Sequence, residues 1–311
     1  MATLQTTCIT GFLNLCQATA NLSAQGKLWF DTSDNYMKYS FNTNWAAEAS
    51  MNTSHTLFAG GGTPTAALAI GNASKGRAVE EYNGTSWSTG GLVATGRDRT
   101  DSTGTQNAAL IAGGNLPAPG ITNTEEYNGS SWSAGGNLNV ARLNNGLSGT
   151  QNAAVTFGGL FAINNTEEYN GSSWSNQSGM PAARYLFAGT GTQNSALSVG
   201  GGDTNFAYCP QVYEYNGSSW ANGGNLNVAG LRHAGGTQNS TLAISGEASS
   251  AIDSCTENYN GSSWSTGITN TQPRKYGAIA ANDASQILYF GSGTATESYT
   301  STLRLAAYRL G

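Results

Sequence analysis

Five near-identical strings of eight residues decide what this chain can become. EEYNGTSW occupies 80–87, EEYNGSSW 125–132 and again 167–174, YEYNGSSW 213–220, and ENYNGSSW 257–264. A degenerate copy, YSFNTNW, stands at 39–45, and TESY at 296–299 begins another. Six of the seven tryptophans fall in one column (Trp45, Trp87, Trp132, Trp174, Trp220, Trp264), at intervals of 42, 45, 42, 46 and 44 residues. Tyr82, Tyr127, Tyr169, Tyr215 and Tyr259 form a parallel column. Between the copies runs a second string: GTPTAALAIG from Gly62, GTQNAALIAGG from Gly104, GTQNAAVTFGG from Gly149, GTQNSALSVGG from Gly191 and GTQNSTLAISG from Gly236. A chain that repeats itself at such a period must stack like units, because one unit alone cannot bury its apolar faces.

Each unit reads as four short strands. The first leads into Gly-Thr-Gln-Asn, the second (108–112, for example) ends at a Gly pair, the third carries Glu-Glu-Tyr, and the fourth starts near Trp. Asn-Gly between the third and fourth predicts a hairpin with a type I′ turn, in which both residues take positive φ. Flanking Tyr and Trp supply large apolar faces. No segment sustains a 3.6-residue apolar period, so helices are expected to be rare. Four strands in 42–46 residues is the length of a propeller blade. The fold class expected is therefore all-β, a β-propeller of four-stranded antiparallel blades over 27–311, preceded by an arm at 1–26.

The Gly pair, the later Tyr and the Trp beyond it resemble the kelch repeat. So does a basic residue ahead of the first strand: Arg97, Arg142, Arg184 and Arg274, with His55 in the same column and Gly230 breaking it. The Gly-His and Trp-Asp pairs of the WD40 type do not occur. Counting Tyr/Trp units from 39–45 to 296–299 predicts seven blades; counting complete first-to-third strand units gives six, the alternative. In the seven-blade reading, Lys27–Trp45 supplies the second to fourth strands of the first blade. The alternating segment TLRLAAYRL (302–310) supplies its missing strand, so that N- and C-terminal strands close the ring.

Composition narrows the partners. Only 10% of residues are charged, against about 25% in an ordinary domain, while 38% hydrophobic and 10% aromatic residues suffice for a core. A net charge of −5 without a polybasic run argues against nucleic acid. No apolar stretch approaches a membrane span and the first residues lack a secretory signal, so a protein made in a cytosol and not inserted in a membrane is expected. Cys8, Cys16, Cys209 and Cys255 show no CxxC spacing, and free, partly buried thiols are favoured over bridges.

Nine of the 18 acidic residues recur with the repeat, and a group present in every blade serves architecture, since catalysis needs it once. Adjacent glutamates on a strand point to opposite faces and are no carboxylate dyad. Two histidines, His55 and His233, make a histidine metal cage improbable. The arginine column is expected to bond loop carbonyls between blades. No catalytic residue, metal or cofactor is expected. The recurrent Asn-Gly-Ser/Thr fits a glycosylation acceptor, but the turn requires Asn-Gly, and no glycans are expected.

The combination of TEEYNGSSW, GTQNAAL and the leading QGKLWFDTSDNYMKYSFN is similar to a class of kelch-like proteins of tailed bacteriophages of marine bacteria. The resemblance spans nearly the whole chain from Lys27, with weak first and last copies. It implies a non-enzymatic virion component, a tail fibre or surface appendage engaged in host attachment, docked on other virion proteins through residues 1–26. A glycan-binding adhesin is the alternative, a polysaccharide-active enzyme a weaker one, and a homo-oligomer is compatible with either. Loops that vary on a constant scaffold are where binding residues concentrate. Four such segments, 115–122, 160–165, 202–210 and 247–253, offer Asn115, Asn164, Asn205, Phe206, Tyr208 and Asp253 as a candidate glycan-binding rim.

Overall fold

A computed structural model describes residues 27–31, 36–40, 44–72, 76–115, 120–160, 163–248 and 251–301. The chain divides into a unit of 44–300 and a second unit made of 1–43 and 301–311. In the second unit Lys27–Asp31 pairs antiparallel with Tyr36–Ser40, from Lys27↔Ser40 to Asp31↔Tyr36. These two strands form a sheet of their own and not the inner part of a blade, which corrects the expectation for Lys27–Trp45. The arm 1–26, the segment 302–310, Cys8 and Cys16 lie outside the described residues.

Residues 44–300 form a β-propeller of six four-stranded antiparallel blades, with no helix among the described residues. In the second blade the inner strand is Asp101–Thr105, followed outward by Ala108–Ala112, Thr124–Tyr127 and Trp132–Ala134. The other blades repeat this order at 59–89, 146–177, 188–222 and 231–266. The sixth is composite: Gly277–Asp283, Gln286–Gly291 and Thr296–Thr300 come from the end of the unit, and its outer strand, Asn44–Ala47, from the beginning. Tyr299 pairs with Trp45 in the register that joins Tyr82 to Trp87 elsewhere. The first and last Tyr/Trp copies are thus two halves of one blade, which is why seven units make six blades.

The core is partitioned accordingly. Six apolar clusters lie between successive blades, as where Leu110, Ala112 and Leu138 meet Leu147, Ala154 and Tyr169. Second strands such as Ala108–Ala112 are buried on both faces, because each blade has a neighbour on either side. The repeat stitches the blades together. Gln151 Nε2 donates to Ala109 O (3.0 Å) and Tyr127 O (2.6 Å) of the preceding blade, and Gln106, Gln193 and Gln238 do likewise. Each Trp ring lies 4.8–5.1 Å from its paired Tyr ring. Each indole N–H donates into the previous blade: Trp174 Nε1 to Thr124 Oγ1 (3.0 Å), Trp220 to Thr166 Oγ1 (2.9 Å), Trp45 to Ile268 O (3.3 Å). Inner strands approach so closely that a Cβ on Gly60 would sit 2.4 Å from Ala278 Cβ.

The Asn-Gly turn differs from the expectation. Tyr127↔Trp132 closes a four-residue loop, and of its residues only Gly129 has positive φ, +90°. Asn128 instead uses its side chain: Oδ1 accepts Ser130 N (3.0 Å), Ser131 N (2.9 Å) and Ser130 Oγ (2.9 Å). The recurrent Ser or Thr therefore has a physical reason, an Asx-type turn closed by a hydroxyl. Asn128→Ala should cost about 1 kcal/mol, as for a lost cap, and Asn128→Asp should keep most of it. Urea midpoints of the two variants check this; equal losses would count against the turn chemistry.

Candidate functional site

The repeated charges are spent inside the blades. Arg142, fully buried, donates through Nη1 to Gly158 O (3.0 Å) and Asn165 O (3.1 Å) and through Nη2 to Glu167. Glu167 also accepts Asn139 N (2.6 Å) and Val140 N (3.1 Å), so the pair clamps the segment leading into the blade. Arg97 with Glu125 and Arg274 with Glu297 repeat the ion pair, and His55 meets Glu80 at 3.1 Å in the first blade. The arginine column does bond loop carbonyls, but of its own blade. Burial lowers the Arg97 and Arg142 guanidinium pKa values, opposed by Glu125 and Glu167. In the fifth blade, where Gly230 breaks the column, Arg232 pairs instead with Asp253 at 2.7 Å. In the fourth, Tyr213 replaces the glutamate: Arg184 Nη2 donates to its hydroxyl (3.1 Å). The second glutamate of each pair points the other way and accepts a tyrosine hydroxyl of the next blade, as from Tyr169 to Glu126 (2.6 Å) and Tyr215 to Glu168 (3.0 Å).

What varies from blade to blade gathers elsewhere. Asp101 pairs with Ala112 and Ala112 with Thr124, so the end where an inner strand starts is also where the second-to-third-strand loop crosses. At that end Leu57, Arg99, Asn144 and Leu186, two residues after the basic column in four successive blades, hold φ between 51° and 54°. Their backbones form a relay around the axis: Arg99 N donates to Leu57 O (2.8 Å), Asn144 N to Arg99 O (2.9 Å) and Leu186 N to Asn144 O (3.2 Å). A left-handed conformation is uncommon for any residue but Gly and is found at clamps and sites. These residues, with Arg232, His233, Lys275 and Tyr276, border an axial cavity of about 280 Å³. Nothing in their identities signalled this, since Leu, Arg and Asn share no pattern.

Two unrepeated groups in the cavity, Asp101 and His233, are moved far from their ordinary values by burial. Burial pushes Asp101 up to about 7, against hydrogen bonds from the amides of Ser102 and Leu147. Burial pulls His233 down to about 4; its Nε2 accepts Gly277 N (3.0 Å), so the neutral ring serves the fold. Unfolded, His233 protonates near its ordinary value of 6.5, so the unfolded chain binds the extra proton between about 6.5 and 4. Stability due to His233 is complete above that window and lost as pH falls through it, on the order of 2 kcal/mol for a half-buried ring. Urea midpoints at several pH values should slope accordingly, and the slope should flatten in His233→Gln; an unchanged slope would reject this assignment.

The six rim residues separate on inspection. Asn115 is tied by its backbone to Asp98, Asn164 Nδ2 donates to Met180 O (3.1 Å), and Asp253 is held by Arg232. Residues 247–248 and 251–253 are paired strand residues, with Gly246↔Asp253 paired beside them, and not a loop. Asn205, Phe206 and Tyr208 share the loop of the fourth blade, where Phe206 is 71% exposed. Cys209 and Cys255 are both free thiols, and burial raises Cys209. No group of three or more His, Cys, Asp or Glu suited to a metal occurs among the described residues.

No protein-family model matches the sequence and no curated protein aligns with it. Among solved structures the chain is similar to YjhT, with a TM-score of 0.69 and 12% identity over 84% of this chain and 99% of that one. At that identity the likeness shows the fold alone: the chain is a six-bladed β-propeller.

Proposed function

We propose that the chain is a non-enzymatic attachment module, a kelch-type propeller carried by a virion as a tail fibre or surface appendage. The phage assignment rests on the sequence resemblance. The observation that carries the attachment role is the division of labour within each blade: repeated charged groups are consumed by framework bonds, while the residues that differ gather at one end. A rigid scaffold presenting variable loops on one face suits recognition. Hydrolysis of a polysaccharide needs a pair of carboxyl groups flanking the bond, and Asp101 is the one acid among the residues lining the axial cavity. Residues 1–26 are assigned in this reading to docking on a neighbouring virion protein.

The test is placement and adsorption. An antibody against the chain should decorate tailed particles, and the purified chain should adsorb to the host of those particles. Particles left bare, with antigen confined to the infected cell, would sink the virion reading.

A further inference from the structure

Asn-Gly is the pair at which a protein backbone most readily attacks its own side chain, because Gly carries nothing to hinder its amide nitrogen. That nitrogen bonds to the Asn carboxamide carbon, and the side-chain nitrogen leaves as ammonia, taking the amide proton with it. Water then opens the five-membered imide at either carbonyl, giving aspartate or isoaspartate. Seven such pairs occur, at 83–84, 128–129, 145–146, 170–171, 216–217, 222–223 and 260–261. Their surroundings divide them into three kinds.

Five belong to the repeated turn, and all five asparagines are exposed. Exposure alone would leave them open to the reaction, yet each carboxamide oxygen accepts three hydrogen bonds of 2.8–3.0 Å. The donors are the two backbone amides beyond the Gly and one hydroxyl, Thr85 in the first blade and Ser130 in the second. These bonds hold Oδ1 over the far side of the turn. Swinging the carboxamide carbon onto the Gly nitrogen breaks all three. Asn145 is closed in another way. It is 3% exposed, its Nδ2 donates to Thr156 Oγ1 (2.9 Å), and Gly146 pairs with Phe157 within the third blade.

Asn222 is unlike the rest. It ends the outer strand Trp220–Asn222 of the fourth blade, is exposed, and its carboxamide makes no hydrogen bond among the described residues. Other blades put Thr89, Ala134 and Thr266 at this position, or Asn176 followed by Gln177. A single backbone bond opposes the attack, from Gly223 N to Val212 O (2.9 Å). The end of an outer strand opens by local fraying more readily than a turn closed on both sides. We infer that Asn222 is the residue at which the folded chain loses its side-chain amide and forms isoaspartate, while the repeated Ser or Thr hydroxyl keeps the five turns closed. Isoaspartate at 222 lengthens the backbone by one methylene and adds a negative charge where the fourth blade leads into the fifth. The chemistry is the same whatever the chain binds.

The experiment stores the full chain in mildly alkaline buffer, folded and in urea. Peptide mapping by mass spectrometry then follows the gain of one mass unit, and the isoaspartate, at each pair. In urea all seven should convert at similar rates. In the folded chain Asn222 should convert about tenfold or more faster than any turn asparagine, the effect of two fewer bonds to break. Ser130→Ala should speed conversion at Asn128 several-fold, with the other four turns as internal controls of folding, and Ser130→Thr should not. Turn asparagines that convert as fast as Asn222 in the folded chain overturn the inference. So does an Asn128 rate that Ser130→Ala leaves unchanged.

Discussion

Trp45→Ala should destabilise the propeller by about 3–5 kcal/mol, the range for removing a large buried aromatic. Trp45 is 5% exposed and packs with Leu242, Ile244, Ile287, Tyr289 and Tyr299 between the fifth and sixth blades. Its position makes the loss more than local. Asn44–Ala47 is held to Thr296–Thr300 by four residue pairs and is the strand that closes the ring. If it detaches, Thr296–Thr300 becomes an open sheet edge. The adjoining Glu48 then no longer receives Ser298 Oγ (2.6 Å) and Tyr82 OH (3.2 Å), which link the last blade to the first. Trp132→Ala, in an uninterrupted blade and at a half-buried ring, should cost about 2 kcal/mol. Urea denaturation compares the two, and hydrogen exchange should show the amides of 286–300 losing protection in Trp45→Ala first. Equal destabilisation by both would mean that closure contributes nothing special.

The same strand shows where the sequence can be read and where it cannot. The Tyr–Trp column was legible because each pair recurs with its Asn-Gly between, as Tyr127 and Trp132 do. Tyr299 and Trp45 stand 254 positions apart (299 − 45) and yet make the same ring contact, 5.1 Å between centroids. Each half is a weak copy in sequence, and counting each as a whole unit overstates the blades. The Asn-Gly turn was located correctly and its geometry misjudged, because the dipeptide signals a turn while the hydroxyl beside Asn128 decides which. Rim loops were recognisable by their variation, but the partners that occupy Asn164 and Asp253, Met180 O and Arg232, come from other segments. The left-handed relay of Leu57, Arg99, Asn144 and Leu186 was illegible for a different reason: backbone, not side chain, makes it.

Arg142→Met should be the second severe substitution, costing about 3–5 kcal/mol at neutral pH, because it strands a buried carboxylate. Arg142 and Glu167 both have fully buried side chains, and no solvent replaces the guanidinium. Replacing both partners by apolar residues should not rescue the fold here. Glu167 also accepts the amides of Asn139 and Val140, and Arg142 serves the carbonyl of Gly158, so Arg142→Met with Glu167→Leu takes the partner from three backbone groups, while Asn165 O keeps Gly158 N. Each costs about 1–3 kcal/mol. The fourth blade suggests the milder change. Tyr213 stands where Glu167 stands, and Arg184 donates to its hydroxyl and lies 5.6 Å above its ring. Glu167→Tyr should therefore be less destabilising than Glu167→Leu by about 1 kcal/mol, since the phenol still receives Arg142. Equal losses for the two, measured by urea denaturation at pH 7, would show that the fourth blade tolerates its tyrosine by local repacking and not by keeping the arginine satisfied.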